Sequence, residues 1–296
     1  MRCVSFTYHG SPEWGVIVEP DHTDQDPGAI IRAIDLEERY FIPLPTSLYE
    51  LITSGKDGLV TLGAALEQYH DDDDHDTLLT PLNEVTVTIP YLPPRNIIGV
   101  GLNYSDGHTE MPPYPTYFSK PPTTMIADNA IIPLHADCTQ AIDYEGELAV
   151  IIGQVTNRIE PQDAFSSVFG YTIANDITAR DLQQLRGQWF YAKSLDGFTP
   201  IGPYVLLGAR KEPFHLTTRV NGELRQSAMT DEMHVSVATL ISDLSRGMTL
   251  LPGDLILTGT PAGTGASQHP PVYLRPGDTI TITIDDIGTL RNTVGQ

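Results

Sequence analysis

The chain has 296 residues, 40% of them hydrophobic, which is enough to bury the core of one large domain or of a large and a small one. The formal net charge of −21 disfavours nucleic acid and anionic membranes as partners, because both attract basic surfaces. No apolar run is long enough to span a membrane, no secretory leader precedes the first strand, and two distant cysteines give no disulfide framework, so we expect a cytoplasmic protein.

Residues 1–92 are predicted to form a small N-terminal α/β domain. Its periodic patterns indicate strands at 2–7, 14–18, 29–33 and 84–89 and helices at 46–54 and 60–69. The acidic run 70–76 mixes histidines with aspartates but lacks the spacing of a calcium-binding EF-hand loop, so we expect a solvated loop there. A proline-rich joint at 89–94 then leads into the larger domain, residues 93–296.

The larger domain is predicted to be mainly β, so that the whole chain belongs to the α+β class. Its patterns indicate strands at 96–100, 130–133, 147–153, 202–208, 215–220, 254–258 and 278–284 and helices at 161–167, 178–187 and 236–246. Asn221-Gly222 stands between two strand-like runs and predicts a two-residue hairpin turn.

Two glutamates at the start of the strand around 147–153 carry the first chemical signal. Glu145 and Glu147 are two residues apart and therefore project from the same face of a strand. Solvent tolerates such a pair, but burial requires a cation between the carboxylates. Gly146, which points to the opposite face, indicates that another backbone approaches closely there.

A third carboxylate follows about thirty residues later, at Asp176. It lies at a predicted strand-to-helix junction, where Asn175, Asp176 or Thr178 can cap the helix. Taken with Glu145 and Glu147, Asp176 instead completes a three-carboxylate site for a hard cation. Such all-oxygen ligands suit Mg²⁺, Mn²⁺ or Ca²⁺ rather than zinc.

These acidic segments and several others resemble the core motifs of the fumarylacetoacetate hydrolase family. The matching segments follow the family's order and lie at 100–104, 115–121, 145–147, 175–181, 187–203, 244–254 and 257–265. The resemblance implies a roll of mixed β-sheets in a β-sandwich-like C-terminal domain, preceded by the small N-terminal domain of the longer members. It also implies a homodimer, and Mg²⁺ (Mn²⁺ or Ca²⁺ in some members) bound by Glu145, Glu147 and Asp176.

The reaction implied by the resemblance is metal-assisted chemistry on a small oxo-acid or β-dicarbonyl compound through an enolate. Hydrolysis of a C–C bond and decarboxylation, as in acylpyruvases and oxaloacetate decarboxylases, are the first expectation. A tautomerase, isomerase, hydratase or other lyase acting on a muconate-type or secondary-metabolite intermediate is the alternative. A non-catalytic metal-binding protein is the third possibility.

The resemblance also assigns substrate-contacting residues, each of which has a structural alternative. Lys193 matches an active-site lysine that holds a carboxylate or enolate oxygen. The structural alternative is an ordinary lysine at the protein surface. Gln183 and Tyr104 fall at substrate-binding positions. The small-residue loop with Gly259 and Thr260 can cradle a carboxylate with its N–H groups and hydroxyl, or can simply be a tight turn.

One segment departs from the family pattern. Members that activate a water commonly show Asn-Tyr-x-x-His-x-x-Glu, whereas here Gly107 stands at the histidine position and His108 comes one residue late. On a helix, His108 and the retained Glu110 would lie about 200° apart. His108 and Glu110 remain the acid–base candidates, but the altered spacing puts hydrolysis in doubt. Asp106 can add a metal ligand or hydrogen-bond a metal-bound water.

Overall fold

The computed structural model describes residues 1–18, 28–105, 107, 110–210 and 213–295. The α-helices are α1 (Ala33–Tyr40), α2 (Leu48–Asp71), α3 (Arg180–Arg186), α4 (Trp189–Lys193) and α5 (Val237–Gly247). Short 3₁₀ helices cover His75–Leu78, Leu82–Glu84, Pro122–Thr124, Ala164–Ser167, Thr230–Glu232 and Gly265–Ser267. The strands are β1 (Arg2–Tyr8), β2 (Ser11–Val18), β3 (Ala29–Arg32), β4 (Leu79–Pro81), β5 (Thr86–Val87), β6 (Ile97–Gly101), β7 (Thr116–Lys120), β8 (Met125–Ile126), β9 (Ile131–Ile132), β10 (Ile142–Asp143), β11 (Gly146–Ile152), β12 (Val168–Asn175), β13 (Thr178–Ala179), β14 (Thr199–Leu207), β15 (His215–Val220), β16 (Glu223–Met229), β17 (Leu255–Leu257), β18 (Thr279–Ile284) and β19 (Gly288–Val294).

A large mixed sheet runs through the molecule. Its strand order is β4-β3-β2-β1-β14-β12-β11-β17-β6-β7, with β5 beside β1 and β8 beside β14. β17 and β6 pair in parallel, as do β8 and β14, and the other pairs are antiparallel. The predicted mainly β fold is therefore confirmed.

A second sheet of five strands, in the order β16-β15-β18-β19-β9, packs against the large one. The hairpin predicted at Asn221-Gly222 connects β15 to β16, with Val220 paired to Glu223. Both turn residues have positive φ, 53° and 81°, which is the backbone geometry that Asn-Gly favours in a two-residue turn. β10 and β13 form a separate two-stranded pair near the ends of β11 and β12.

Four of the five predicted helices correspond to α-helices, with changed bounds. The helices expected at 46–54 and 60–69 correspond to α2, which Gly55 interrupts with a φ of 57° and a ψ of −131°. Ser47 caps α2 by accepting a hydrogen bond from the Glu50 N–H, and Ser236 caps α5 in the same way. The helix expected at 161–167 is only a short 3₁₀ turn, and α1 and α4 were not predicted.

The strands that carry the acidic residues are buried on both faces. Every residue of β11 and β12 is buried, and their apolar side chains belong to two clusters on opposite sides of the sheet. One cluster joins residues of the second sheet, such as Leu216 and Ile282, to Leu148 and Val150 of β11. A fully buried aliphatic side chain contributes about 1.5–3 kcal/mol, so both faces of β11 are fixed firmly in place.

The other cluster joins the N-terminal segment to the same strands. Trp14 and Leu51 belong to it together with Ile151 of β11 and Leu257 of β17. The division into domains at residue 92 stays a prediction, but the first 92 residues share a core with the later ones. Among the described residues, no helix combines the length and the apolar character needed to cross a bilayer.

Candidate metal centre and substrate cleft

Three carboxylates meet where β11 begins and β12 ends. Antiparallel pairing sets Gly146 opposite Asn175, so that Glu145 and Glu147 lie beside Asp176. Two local bonds hold this register: the Asp176 N–H donates to the Glu145 carbonyl at 2.8 Å, and the Glu145 N–H donates to Asn175 Oδ1 at 3.0 Å. One oxygen from each carboxylate lies within 4.8 Å of the other two.

All three carboxylates are buried. Glu145, Glu147 and Asp176 expose 7%, 1% and 0% of their surface. Asp176 is not a helix cap, because the N-cap of α3 is Ala179 and receives no side-chain bond. The expectation that Asn175, Asp176 or Thr178 caps this helix is wrong. A helix cap therefore does not account for the burial of Asp176 beside two other acids.

Three cations stand among these acids: Lys120 and Lys193 are buried, and Arg180 is partly buried. Lys193 Nζ donates to Glu145 Oε2 at 2.7 Å, to Asp176 Oδ2 at 2.5 Å and to Thr178 Oγ1 at 2.8 Å. Lys120, which is completely buried, forms an ion pair with the other oxygen of Asp176 and donates to the Phe198 carbonyl at 2.7 Å. Every N–H of the Lys193 ammonium is therefore already in use.

Arg180 is the third cation and links the centre to another buried acid. Its guanidinium donates to Glu145 Oε1 at 2.5 Å and to Asp143 Oδ2 at 2.8 Å. Asp143 in turn accepts the backbone N–H groups of Gly265 and Ala266. Arg180, the first residue of α3, therefore forms ion pairs with Asp143 and with a carboxylate of the centre.

The titration behaviour of these groups follows from burial and from their neighbours. Burial, followed by repulsion from Asp176 and Glu145, holds the pKa of Glu147 well above its ordinary value. Burial would also raise the pKa of Asp176, but Lys120 and Lys193 outweigh it and lower that pKa. Burial favours neutral Lys193, but Asp176 and Glu145 prevail, so its pKa is raised and it remains a cation.

Lys120 behaves differently from Lys193. Burial is the largest influence on Lys120 and lowers its pKa, in spite of the opposing attraction of Asp176. Four buried carboxylates (Asp143, Glu145, Glu147 and Asp176) face three cations (Lys120, Arg180 and Lys193), which leaves one uncompensated negative charge when all are ionised.

This donor set fits a hard divalent cation. The cluster offers carboxylate oxygens and no sulfur or imidazole, which is the chemistry that Mg²⁺, Mn²⁺ and Ca²⁺ select. Repulsion from Asp176 and Glu145 contributes to the raised pKa of Glu147, and a bound cation would offset the excess negative charge. Each acid also has one oxygen held by a fixed partner: Arg180 for Glu145, the Gly259 N–H for Glu147 at 2.7 Å, and Lys120 for Asp176.

A cleft of about 620 Å³ opens onto the cluster. Two of the acids and two of the cations line it, together with small and polar residues and three aromatic rings. The lining residues are Val100, Gly101, Leu102, Tyr104, Phe118, Glu145, Glu147, Arg180, Gln183, Gln184, Gly187, Trp189, Lys193, Thr260, Pro261, Ala262, Thr264, Ala266 and Ser267.

Several predicted substrate residues therefore lie in one cleft. Lys193, Gln183, Tyr104 and Thr260 all line it. Arg180 donates to Gln183 Oε1 at 3.1 Å, and this leaves the Gln183 amide nitrogen to donate elsewhere. Burial, followed by the charge of Glu147, raises the pKa of Tyr104, so its phenol stays protonated and can donate a hydrogen bond.

The loop with Gly259 and Thr260 is tied to the protein itself. The Gly259 N–H donates to Glu147, and the Thr260 hydroxyl donates to the Gly146 carbonyl at 2.9 Å. Substrate contact through these two groups stays a prediction, and it requires that these bonds be exchanged.

The acid–base pair is not assembled in the described part of the chain. His108 and Asp106 lie outside the described residues. Glu110 is exposed and does not line the cleft. The acidic run 70–76 forms no cluster with metal-binding geometry among the described residues, and its Asp72 instead binds Arg39 and Tyr40.

Sequence reasoning missed Lys120, Asp143 and Arg180 as parts of the centre. Lys120 ends a strand and precedes two prolines, and a lysine at a strand end is usually solvated, so nothing local distinguishes it. Asp143 lies two residues before Glu145, and its position close to a predicted buried strand was the available signal.

Comparisons with known proteins agree with this geometry. The family model described as fumarylacetoacetate (FAA) hydrolase C-terminal matches residues 96–295. An oxaloacetate tautomerase of Bacillus subtilis is 46% identical over 264 residues, which cover 85% of this chain and 87% of that protein.

Two solved structures cover the whole chain. A fumarylacetoacetate hydrolase from Exiguobacterium antarcticum has a TM-score of 0.82 at 39% identity, covering 100% of this chain and 99% of its own. A 2-hydroxyhepta-2,4-diene-1,7-dioate isomerase from Mycobacterium marinum has a TM-score of 0.77 at 31% identity, covering 100% and 98%.

Proposed function

The chain belongs to the fumarylacetoacetate hydrolase family, and from this membership and the buried acid cluster we propose that it is a divalent-metal-dependent tautomerase of oxaloacetate or a similar 2-oxo acid. The observation that carries the proposal is the cluster of Glu145, Glu147 and Asp176, buried at one end of a cleft with Lys193. The names of the relatives, a tautomerase and an isomerase among them, favour proton transfer over bond cleavage.

A tautomerisation suits this cleft because it needs no activated water. It moves one proton between the C3 carbon and the C2 oxygen of the oxo-acid and breaks no bond between heavy atoms. Hydrolysis of a C–C bond needs a water-activating pair in addition. Glu110 faces solvent and does not line the cleft, so the described residues do not assemble a water-activating pair. They do offer the acid cluster and the lysine that stabilise an enolate.

Different residues of the site would bind the metal ion, stabilise the enolate and bind the substrate. Glu145, Glu147 and Asp176 would hold the metal ion, which supplies Lewis-acid stabilisation of the enolate charge. Lys193 keeps its proton and offers a fixed positive charge to the enolate oxygen, after exchanging one of its three present bonds. The Gln183 amide nitrogen and the Tyr104 phenol are positioned to bind a substrate carboxylate.

The test follows the enol of oxaloacetate by its ultraviolet absorbance while pyruvate is measured separately. We expect fast loss of the enol with Mg²⁺ or Mn²⁺, little pyruvate, and suppression of the rate by EDTA. Glu147→Gln removes one acid without changing shape and should lower kcat/KM by ~100-fold or more, because outer-shell partners alone are worth 10–100-fold.

Other outcomes of this test would redirect or reject the proposal. Pyruvate formed at the rate of enol loss would make the protein a decarboxylase. An enol-loss rate unchanged by EDTA and by Glu147→Gln would refute the metal-assisted reaction altogether.

A further inference from the structure

We propose that Gln226, on the second sheet and outside the cleft lining, is a positioning residue. It sets the distance between the strand that carries Glu145 and Glu147 and the cleft loop, which contains Thr260, Pro261 and Ala262. The inference deepens the proposed function, since it concerns the same metal site. Gln226 belongs to β16 and exposes only 1% of its surface. A buried amide must find partners for its donors and its acceptor, so its contacts indicate what it holds.

The side chain of Gln226 contacts two segments of the site at once. Its Oε1 accepts the N–H of Gly146, the residue between the two metal-ligand glutamates, at 3.0 Å. Its Nε2 donates to Thr260 Oγ1 and to the Pro261 carbonyl, both at 2.8 Å. The Thr260 hydroxyl then donates to the Gly146 carbonyl at 2.9 Å, which closes a ring of bonds.

A β-bulge directs Gln226 toward these partners. In the β15–β16 pair, Thr218 stands opposite Gln226 and Arg219 opposite Leu224, so Arg225 is an extra residue on β16. Such a bulge bends its strand and re-aims the adjacent side chain, and bulges are common beside active sites.

Two glycines allow the close approach on which the contact depends. A Cβ on Gly146 would collide with Thr218 Oγ1 and lie 3.3 Å from Gln226 Oε1. A Cβ on Gly263 would collide with the Arg225 carbonyl at the bulge. Tyr144 secures the same loop by donating its hydroxyl to the Gly263 carbonyl at 2.8 Å.

These contacts place Gln226 between two groups that must act together. On one side is the strand that carries Glu145 and Glu147, and on the other is the loop whose Thr260, Pro261 and Ala262 form a wall of the cleft. Without the amide, the acids remain in the chain but lose their fixed distance from this wall. Loss of such an outer contact typically lowers metal affinity or activity by 10–100-fold.

The experiment compares Gln226→Met with a matched control, Asn292→Leu. Asn292 is a buried amide on β19 of the same sheet, and it donates to the Ala127 and Ala130 carbonyls far along the sheet from the cluster. Mn²⁺ affinity is measured by titration calorimetry, the kinetics by loss of enol-oxaloacetate, and the melting temperature by circular dichroism. Both variants should lose stability, because each leaves buried polar groups unpaired.

We expect only Gln226→Met to raise the Kd for Mn²⁺, by ~10-fold or more, and to lower kcat by a similar factor. Asn292→Leu should leave both values within about twofold. Thr260→Val removes the opposite end of the ring and serves if Gln226→Met does not fold. It should weaken Mn²⁺ binding likewise, and the double variant should lose no more than either single change.

Equal Mn²⁺ affinity in wild type, Gln226→Met and Thr260→Val would overturn the proposal, as would an equal loss in Asn292→Leu. Wild-type protein that binds Mn²⁺ but does not turn over oxaloacetate would contradict the proposed reaction alone. The Mn²⁺ comparison would then still decide the role of Gln226, because it does not use that reaction.

Discussion

Residues of the centre are fixed in place by buried ion pairs, which solvent does not screen. Lys120 and Asp176 are both fully buried, and their pairing fixes one oxygen of a candidate metal ligand. Removal of one partner from a buried ion pair leaves an uncompensated charge in a medium of low polarity. The free energy of unfolding is therefore sensitive to Lys120 even though it does not line the cleft.

We predict that Lys120→Met lowers the free energy of unfolding by ~3–5 kcal/mol in the presence of EDTA. The reason is that Asp176 then stays buried with Lys193 as its remaining cationic partner. Urea unfolding followed by circular dichroism measures the loss. Lys56→Met, at an exposed position of α2, is the control and should change stability by less than about 0.5 kcal/mol. An equally small loss in Lys120→Met would contradict the prediction.

The two free cysteines are predicted to differ in reactivity. Burial raises the pKa of the Cys3 thiol to about 12, while Cys138 is exposed. The thiolate is the reactive form, so a disulfide reagent at pH 8 should label one thiol per native chain and two after unfolding. A Cys138→Ser variant should show no fast labelling in the native state. Rapid labelling of that variant would mean that β1 opens readily.

At the scale of elements, the sequence predicted the site best where a pattern is local. The alternation around Glu145 and Glu147, the Asn221-Gly222 turn and the helix predicted at 236–246 each depend on neighbouring residues, and the structure has all three. The partners of the acids could not be predicted in this way. Lys120 and Asp176 meet only through pairings among β7, β6, β17, β11 and β12, which no local spacing encodes.

Close approach between elements gives a matched pair of glycine predictions. Gly146→Ala should destabilise by ~1–3 kcal/mol, because the new methyl group collides with Thr218 of β15 and the strands must separate. Gly63→Ala, within α2, meets no atom within 4 Å and should stabilise by roughly 0.5–1 kcal/mol. Thermal and urea unfolding measure both changes. A neutral Gly146→Ala would show that the two sheets are less closely packed than described.

At the scale of the whole molecule, the first 92 residues and the later ones share a sheet and an apolar cluster. β1 pairs directly with β14, and Trp14 and Leu51 belong to the same cluster as Ile151 and Leu257. The change of composition near residue 90 predicted a joint between two domains. Composition records the polarity of a segment but not which strands pair across it, so this continuity could not be foreseen.

We therefore predict that the full chain unfolds in one cooperative transition. Its calorimetric and van't Hoff enthalpies should agree, since the two parts share one sheet and the apolar cluster that contains Trp14, Leu51, Ile151 and Leu257. A fragment that lacks residues 1–92 should aggregate, because the edge of β14 and one face of β11 become exposed. Two separated calorimetric peaks, or a well-folded monomeric fragment, would contradict this prediction.

The fixed partners of the three acids also limit how many ligands the protein can offer an ion. One oxygen of each acid is held by Arg180, the Gly259 N–H or Lys120, so at most one oxygen per acid is left for coordination. For Glu145 and Asp176 this second oxygen accepts from Lys193, which must release it to an ion. Mg²⁺ prefers six oxygen neighbours and Ca²⁺ six to eight. About half of the coordination sphere of a bound Mg²⁺ would then consist of exchangeable molecules such as water. A chelating oxo-acid could therefore bind by displacing water while the carboxylate ligands of the protein stay in place.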